Sequence, residues 1–111
     1  MNYTIAIYAR STTIDDASIN NQIATIMERV IKDYNGEPIR IYLYVDNGYS
    51  AKQSDCPGYK AMLEEPDMEE EVFDAIYVTD YTRIARNMGD LHDLVKITEE
   101  FKINLIAVNN K

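Results

Sequence analysis

The strongest constraint on this chain is an alternation. Four short apolar runs, YTIAIYA at 3–9, IRIYLYV at 39–45, VFDAIYV at 72–78 and INLIAV at 103–108, are separated by segments that fit helices or loops. The runs are rich in β-branched and aromatic residues, and the first is apolar almost throughout, as suits a strand covered on both faces. After it, Ile19, Ile23, Ile26, Met27, Val30 and Ile31 recur at helical spacing and make one apolar stripe. Asp15 and Asp16 are placed to cap that helix, and Asn35-Gly36 to end it. Pro57 suits the first turn of a short helix through Leu63, and Asn87 the cap of another, marked by Leu91, Leu94, Val95, Thr98 and Phe101. The alternation and the right-handed crossover rule predict a three-layer α/β sandwich with a four-stranded, mainly parallel sheet in the order 2-1-3-4. The length fits one domain over 1–111, and no repeat or internal boundary interrupts it.

The formal charge is −8, and six of the negatives sit in EEPDMEEE at 64–71, so the remainder carries only −2. Affinity for DNA comes largely from neutralised phosphates, so this chain alone is expected to bind duplex DNA weakly. An anion-binding role must then use a small cluster of arginines. Cys56 is the one cysteine and allows no internal disulfide. The start, MNYTIAIYAR, lacks the features of a signal peptide, and no stretch is long enough to span a bilayer. A cytoplasmic protein with no membrane partner is the expectation.

In parallel α/β sheets, sites form beyond the carboxyl ends of the strands. The loops YARSTT, DNGYSAKQSDC and TDYTRIARN all follow strands and should gather at that edge, bringing Arg10, Arg83, Arg86 and several hydroxyls together. Each piece alone has a plainer reading. Ser11, Thr12 and Thr13 suit a turn and cap, Arg83 and Arg86 suit pairing with the acidic run, and Gln22 suits a solvated helix position. Cys56 suits a small packed residue, and His92, beside Leu91 and Leu94, a structural one. No metal-ligand spacing and no glycine-rich phosphate loop is present, so no cofactor is expected.

Taken together, the motifs resemble the catalytic domain of the serine recombinases, the resolvase–invertase family, and especially its large transposon and phage integrase branch. YARSTT is similar to the family's Tyr-Ala-Arg-Val-Ser-Thr, and SINNQ at 18–22 to its Ser-Leu-x-x-Gln. DNGYSAKQSDCPGYKAML resembles its Asp-x-Gly-x-Ser-Gly…Arg-Pro-Gly-Phe block, and TRIARN its Asp-Arg-Leu-x-Arg-Asn. The resemblance spans essentially the whole chain. It implies a site-specific DNA recombinase that cuts and rejoins strands through a hydroxyl joined covalently to a 5′ phosphate. It further implies homo-oligomers in the full-length protein and a bacterial or phage origin. Arg10, Arg83 and Arg86 fall on arginines that hold the scissile phosphate, Gln22 on a site glutamine, and Ser50 on a serine of the loop beside the site.

Four departures stand out against that pattern. The family spacing of arginine, one residue, serine puts Thr12 at the nucleophile's position, with Ser11 the alternative. Cys56 stands where the family has an arginine, and Thr82 where it has an acidic residue. The chain also stops before the family's long dimer helix and DNA-binding domain. Cleavage is therefore expected to be poor, to improve modestly with Thr12→Ser, and to improve more than additively with Cys56→Arg as well. Two other readings stay open: a catalytically degenerate module acting through protein contacts, and a flavodoxin-like domain that binds phosphate or a small ligand.

Overall fold

The computed structural model describes residues 2–49, 56–64, 73–85 and 87–109. The elements run β1 (Tyr3–Ser11), α1 (Asp16–Tyr34), β2 (Ile39–Asn47), α2 (Pro57–Glu64), β3 (Ala75–Val78), a 3-10 turn (Tyr81–Arg83), α3 (Met88–Glu100) and β4 (Asn104–Ala107). All three strand pairings are parallel and the order is β2-β1-β3-β4, the arrangement that the alternation predicts. Right-handed crossovers explain the layers. The step from β1 to β2 and the step back from β2 to β3 run in opposite directions, so α1 and α2 lie on opposite faces. The step from β3 to β4 continues the second direction, which puts α3 on the face of α2.

Burial follows the strand alternation. Ile5 and Ile7 of β1 pack with Ala75, Tyr77 and the α1 residues Ile26 and Val30. Ala6 and Tyr8 point to the other side, among Ile76, Val78, Tyr59, Met62 and Leu94. Apolar side chains are needed on both faces of β1, which is why its sequence reads as an unbroken apolar run.

The helix limits come from local chemistry. Asp15 caps α1 by accepting from the Ser18 N–H, and Asn35 with Gly36, at φ +86°, turns the chain out of it. The Asn87 side chain caps α3 by accepting from the Asp90 N–H. Ile31 departs from the predicted stripe: it is 64% exposed, because the sheet covers Ile19, Ile26 and Val30 and does not reach one turn-edge further. His92 is also exposed rather than packed.

β1 and β2 run two residues beyond the predicted ends, and their register carries on through Arg10↔Asp46 and Ser11↔Asn47. β3 pairs with β1 only as far as Ile7↔Tyr77. The tail of β1 therefore overhangs its neighbour on one side.

The start of α2 is set by a buried carboxylate. Asp46, wholly inaccessible, accepts from the Tyr8 hydroxyl at 2.6 Å, the Gly58 N–H at 2.7 Å and the Tyr59 N–H at 3.0 Å. Two of these donors belong to the first turn of α2, where the helix dipole also favours negative charge. Burial, with the hydrogen bond to Asp46 next, pushes the Tyr8 phenol far above its usual range. Gly58 permits the approach: a Cβ there would lie 2.9 Å from both Asp46 Oδ1 and the Val45 carbonyl oxygen. Backbone cannot yield to such a contact as a flexible side chain can. Gly58→Ala is expected to cost about 2 kcal/mol and lower the thermal midpoint by about 10 °C, read by circular dichroism melting. An unchanged midpoint would mean that α2 shifts freely.

Candidate active site at the carboxyl edge of the sheet

From β1 the chain leaves to β2 on one side, while β3 flanks it on the other. This is the switch point of a doubly wound sheet, where a crevice opens between the strand ends. The register between β1 and β3 stops at Ile7↔Tyr77, short of Arg10. Gln22, a buried residue of α1, takes that place. The Arg10 N–H donates to Gln22 Oε1 at 3.1 Å, and Gln22 Nε2 donates to the Arg10 carbonyl at 3.0 Å. One side-chain amide thus supplies the donor and acceptor that another strand would supply. Gln22 Nε2 also reaches Ser18 Oγ at 3.2 Å.

Two arginines tie the next segment in. Arg83 Nη1 donates to the Arg10 carbonyl at 3.2 Å, and Arg10 Nη2 donates to the Thr82 carbonyl at 3.1 Å. Arg10, only 6% exposed, leaves β1 on the face of Tyr8, and its positive charge partly offsets the rise of the Tyr8 phenol. Arg83 lines a polar cleft of about 400 Å³ together with Ser18, Gln22, Thr79, Asp80 and Asn109. Its Nε is buried and has no hydrogen-bond partner among the described residues. A buried guanidinium N–H in that state favours an acceptor, and an anionic oxygen most of all.

The hydroxyls divide at the strand end. Ser11 is the last residue of β1 and is 6% exposed, and its carbonyl accepts from the N–H groups of Gly48 and Tyr49. Thr12 is the first residue past the strand and is exposed. The chain bends at Thr12 and Thr13, so strand alternation no longer fixes the side to which Thr12 turns. Thr82 donates from its N–H and its hydroxyl to the Asp80 carboxylate, which brings an acidic group to the segment where the resemblance leads one to expect it at residue 82. Arg86 and Ser50 lie outside the described residues.

Cys56 is wholly buried in the apolar cluster with Tyr59, Met62 and Phe73, as a small packed residue would be, so an arginine at this position would have to enter that cluster. Sequence reasoning missed Asp46 and Asp80. The usable signal for Asp46 was a carboxylate at a strand end with a Pro57-Gly58 helix start downstream. Among the described residues, no cluster of three or more His, Cys, Asp or Glu could hold a metal ion, and no helix is long and apolar enough to cross a membrane.

Fold and crevice together define a doubly wound α/β domain with an arginine-bearing edge at the switch point. Residues 5–111 match the family model for the resolvase N-terminal domain, and the chain belongs to that family, the catalytic domains of site-specific recombinases. The solved N-terminal catalytic domain of TP901-1 integrase is similar, with 25% identity and a TM-score of 0.72 over 96% of this chain and 78% of that one. A resolvase-family site-specific recombinase from Streptococcus pneumoniae aligns at 23% identity and a TM-score of 0.73, over 96% of this chain and 72% of that one. The C-terminal catalytic domain of ISC1926 TnpA, an IS607-like serine recombinase, gives 15% identity and a TM-score of 0.70, over 97% and 71% of the two chains. The last two similarities speak for the fold alone. A comparison with curated proteins finds no match.

Two substitutions test this description. Gln22→Ala removes both side-chain bonds to the buried Arg10 backbone and is expected to cost about 2 kcal/mol in urea unfolding. A loss under about 0.5 kcal/mol would show that the amide clamp does not hold the strand end. Cys56→Arg puts a cation into the core and is expected to cost about 3 kcal/mol or more in the same assay.

Proposed function

We propose that this domain cuts and rejoins DNA by phosphoryl transfer, with the Thr12 hydroxyl as nucleophile. The observation that carries the reading is the crossed pair of arginine contacts, Arg83 to the Arg10 carbonyl and Arg10 to the Thr82 carbonyl. It fixes a cationic edge next to an exposed hydroxyl, and Arg83 Nε lacks an acceptor among the described residues. Attack of Thr12 Oγ1 on the scissile phosphorus forms the bond to the 5′ phosphate and releases a 3′ hydroxyl; the reverse step reseals the strand. Guanidinium groups that stay charged suit the charge that develops on the equatorial oxygens. By the family pattern, Arg86 and Ser50 join Arg10 and Arg83 in holding the phosphate. Gln22 serves as a positioning residue, since both ends of its amide are engaged by the Arg10 backbone.

Ser11 is the weaker nucleophile candidate because it is buried within the strand pairing. The threonine methyl stiffens χ1 and crowds the approach, so attack by Thr12 is slower than attack by a serine placed there. One hydroxyl per chain cuts one strand, so cutting a duplex takes at least two copies acting together. The buried Cys56 at a family arginine position favours a second reading, a module that pairs with a complete recombinase instead of cutting DNA itself.

The test is covalent adduct formation on a nicked duplex, with the attachment site mapped by mass spectrometry. A small yield joined to Thr12 is expected, rising modestly, about threefold, with Thr12→Ser and falling about a hundredfold with Arg83→Ala. Ser11→Ala should leave the yield within about twofold. Attachment at Ser11 would reassign the nucleophile. No adduct from either the native chain or Thr12→Ser, together with co-purification of an active recombinase, would establish the second reading.

A further inference from the structure

Ile14 is 82% exposed and Tyr49 is 41% exposed, and both stand in loops at the carboxyl edge of the sheet. Single exposed apolar residues are ordinary. The backbone that carries these two is held in place. Before Ile14, the Ser11 carbonyl accepts from the Gly48 N–H at 2.8 Å and the Tyr49 N–H at 3.1 Å. After it, the Asp15 N–H donates to Asn47 Oδ1 at 2.8 Å, and Asn47 Nδ2 donates to Asp16 Oδ1 at 2.8 Å. Beneath it lies Gly48, at φ +89°, where a Cβ would come within 2.7 Å of Ile14 Cγ1. The glycine makes the room in which Ile14 sits, and the loop is clamped on both sides, so the exposure is built into the fold.

We propose that Ile14, with Tyr49 of the neighbouring loop, is an apolar wedge that enters the base stack at the step being cut and unstacks it, so that its phosphodiester can reach Thr12. This rests on the DNA-cleavage reading above. Position selects the occupant. Two residues span at most about 7 Å, and stacked bases rise 3.4 Å per step, so a phosphate held at Thr12 puts Ile14 within about two base steps of it. At that distance from a DNA phosphate the apolar surfaces are the deoxyribose edges and the faces of the bases, and only the stacked faces can part to admit a branched side chain. Isoleucine between base steps opens and kinks a duplex, and an aromatic ring offers a stacking surface to the base so displaced. Tyr49, adjacent in sequence to Gly48, supplies that ring.

The experiment uses the whole chain and a duplex with 2-aminopurine at the step beside the cut, whose fluorescence rises on unstacking, while anisotropy of a dye-labelled duplex reports binding. The native chain and Thr12→Ala are both expected to raise the fluorescence, since unstacking precedes chemistry, and Ile14→Ala to lose most of the rise. With intact duplex, Ile14→Ala should lower adduct yield about tenfold, and with a mismatch at that step less than about twofold, because the opening is already made. Equal fluorescence and equal adduct from the native chain and Ile14→Ala overturn the wedge. So does bound duplex without any rise, or no binding at about 100 µM chain. A chain that dimerises through this loop and leaves the fluorescence unchanged also overturns it. A rise with the native chain that Ile14→Ala abolishes, but with no adduct from any variant, supports the wedge and removes the cleavage reading.

Discussion

Much of this domain hangs on a carboxylate removed from water. Asp46 is tolerable in the interior because three donors, from β1 and from the first turn of α2, converge on it. The same convergence fixes the angle at which α2 meets the sheet and places Cys56 in the core. It also holds Tyr8 in the layer directly beneath Arg10. Removing a single donor would leave the buried carboxylate one bond short, a cost of about 1–3 kcal/mol, and neighbouring elements take their positions from it.

The arginine edge above it is a second solution to a similar problem. β1 has to extend past β3 to deliver Arg10 and Ser11 to the switch point, and an overhanging strand exposes backbone groups that need partners. Gln22 and Arg83 supply them. Stability and site geometry are thus served by the same contacts. Gln22, which the family pattern marks as a site residue, acts by holding the backbone that carries Arg10.

The fold was legible because its signals are local and redundant. Apolar runs, helical spacing, Asp15, Asn35-Gly36 and Asn87 each mark an element or its end without reference to the rest of the chain, and the sheet order follows from their sequence. The two-residue extension of β1 and β2 was not legible, since polar Arg10, Ser11, Asp46 and Asn47 read as loop until a register pairs them. The same limit hid Asp46: its partners lie twelve, thirteen and thirty-eight residues away in sequence. Cys56 was readable as a packed residue from its type alone, and its burial in the core agrees. For Ser11 and Thr12, spacing named the candidates, but only the bend after the strand separates the buried hydroxyl from the exposed one.

The contacts between Arg10 and the segment at Thr82 and Arg83 join residues 72 and 73 positions apart. During synthesis the chain emerges from its amino end, so β1 leaves the ribosome well before the guanidinium of Arg83 exists. Until β3 has docked beside β1, the Arg10 carbonyl lacks the Arg83 donor and the Arg10 side chain lacks the Thr82 acceptor. A prematurely terminated product therefore carries the strand end without the crossed contacts that order it. Loop closure over this length makes the edge a late acquisition of folding.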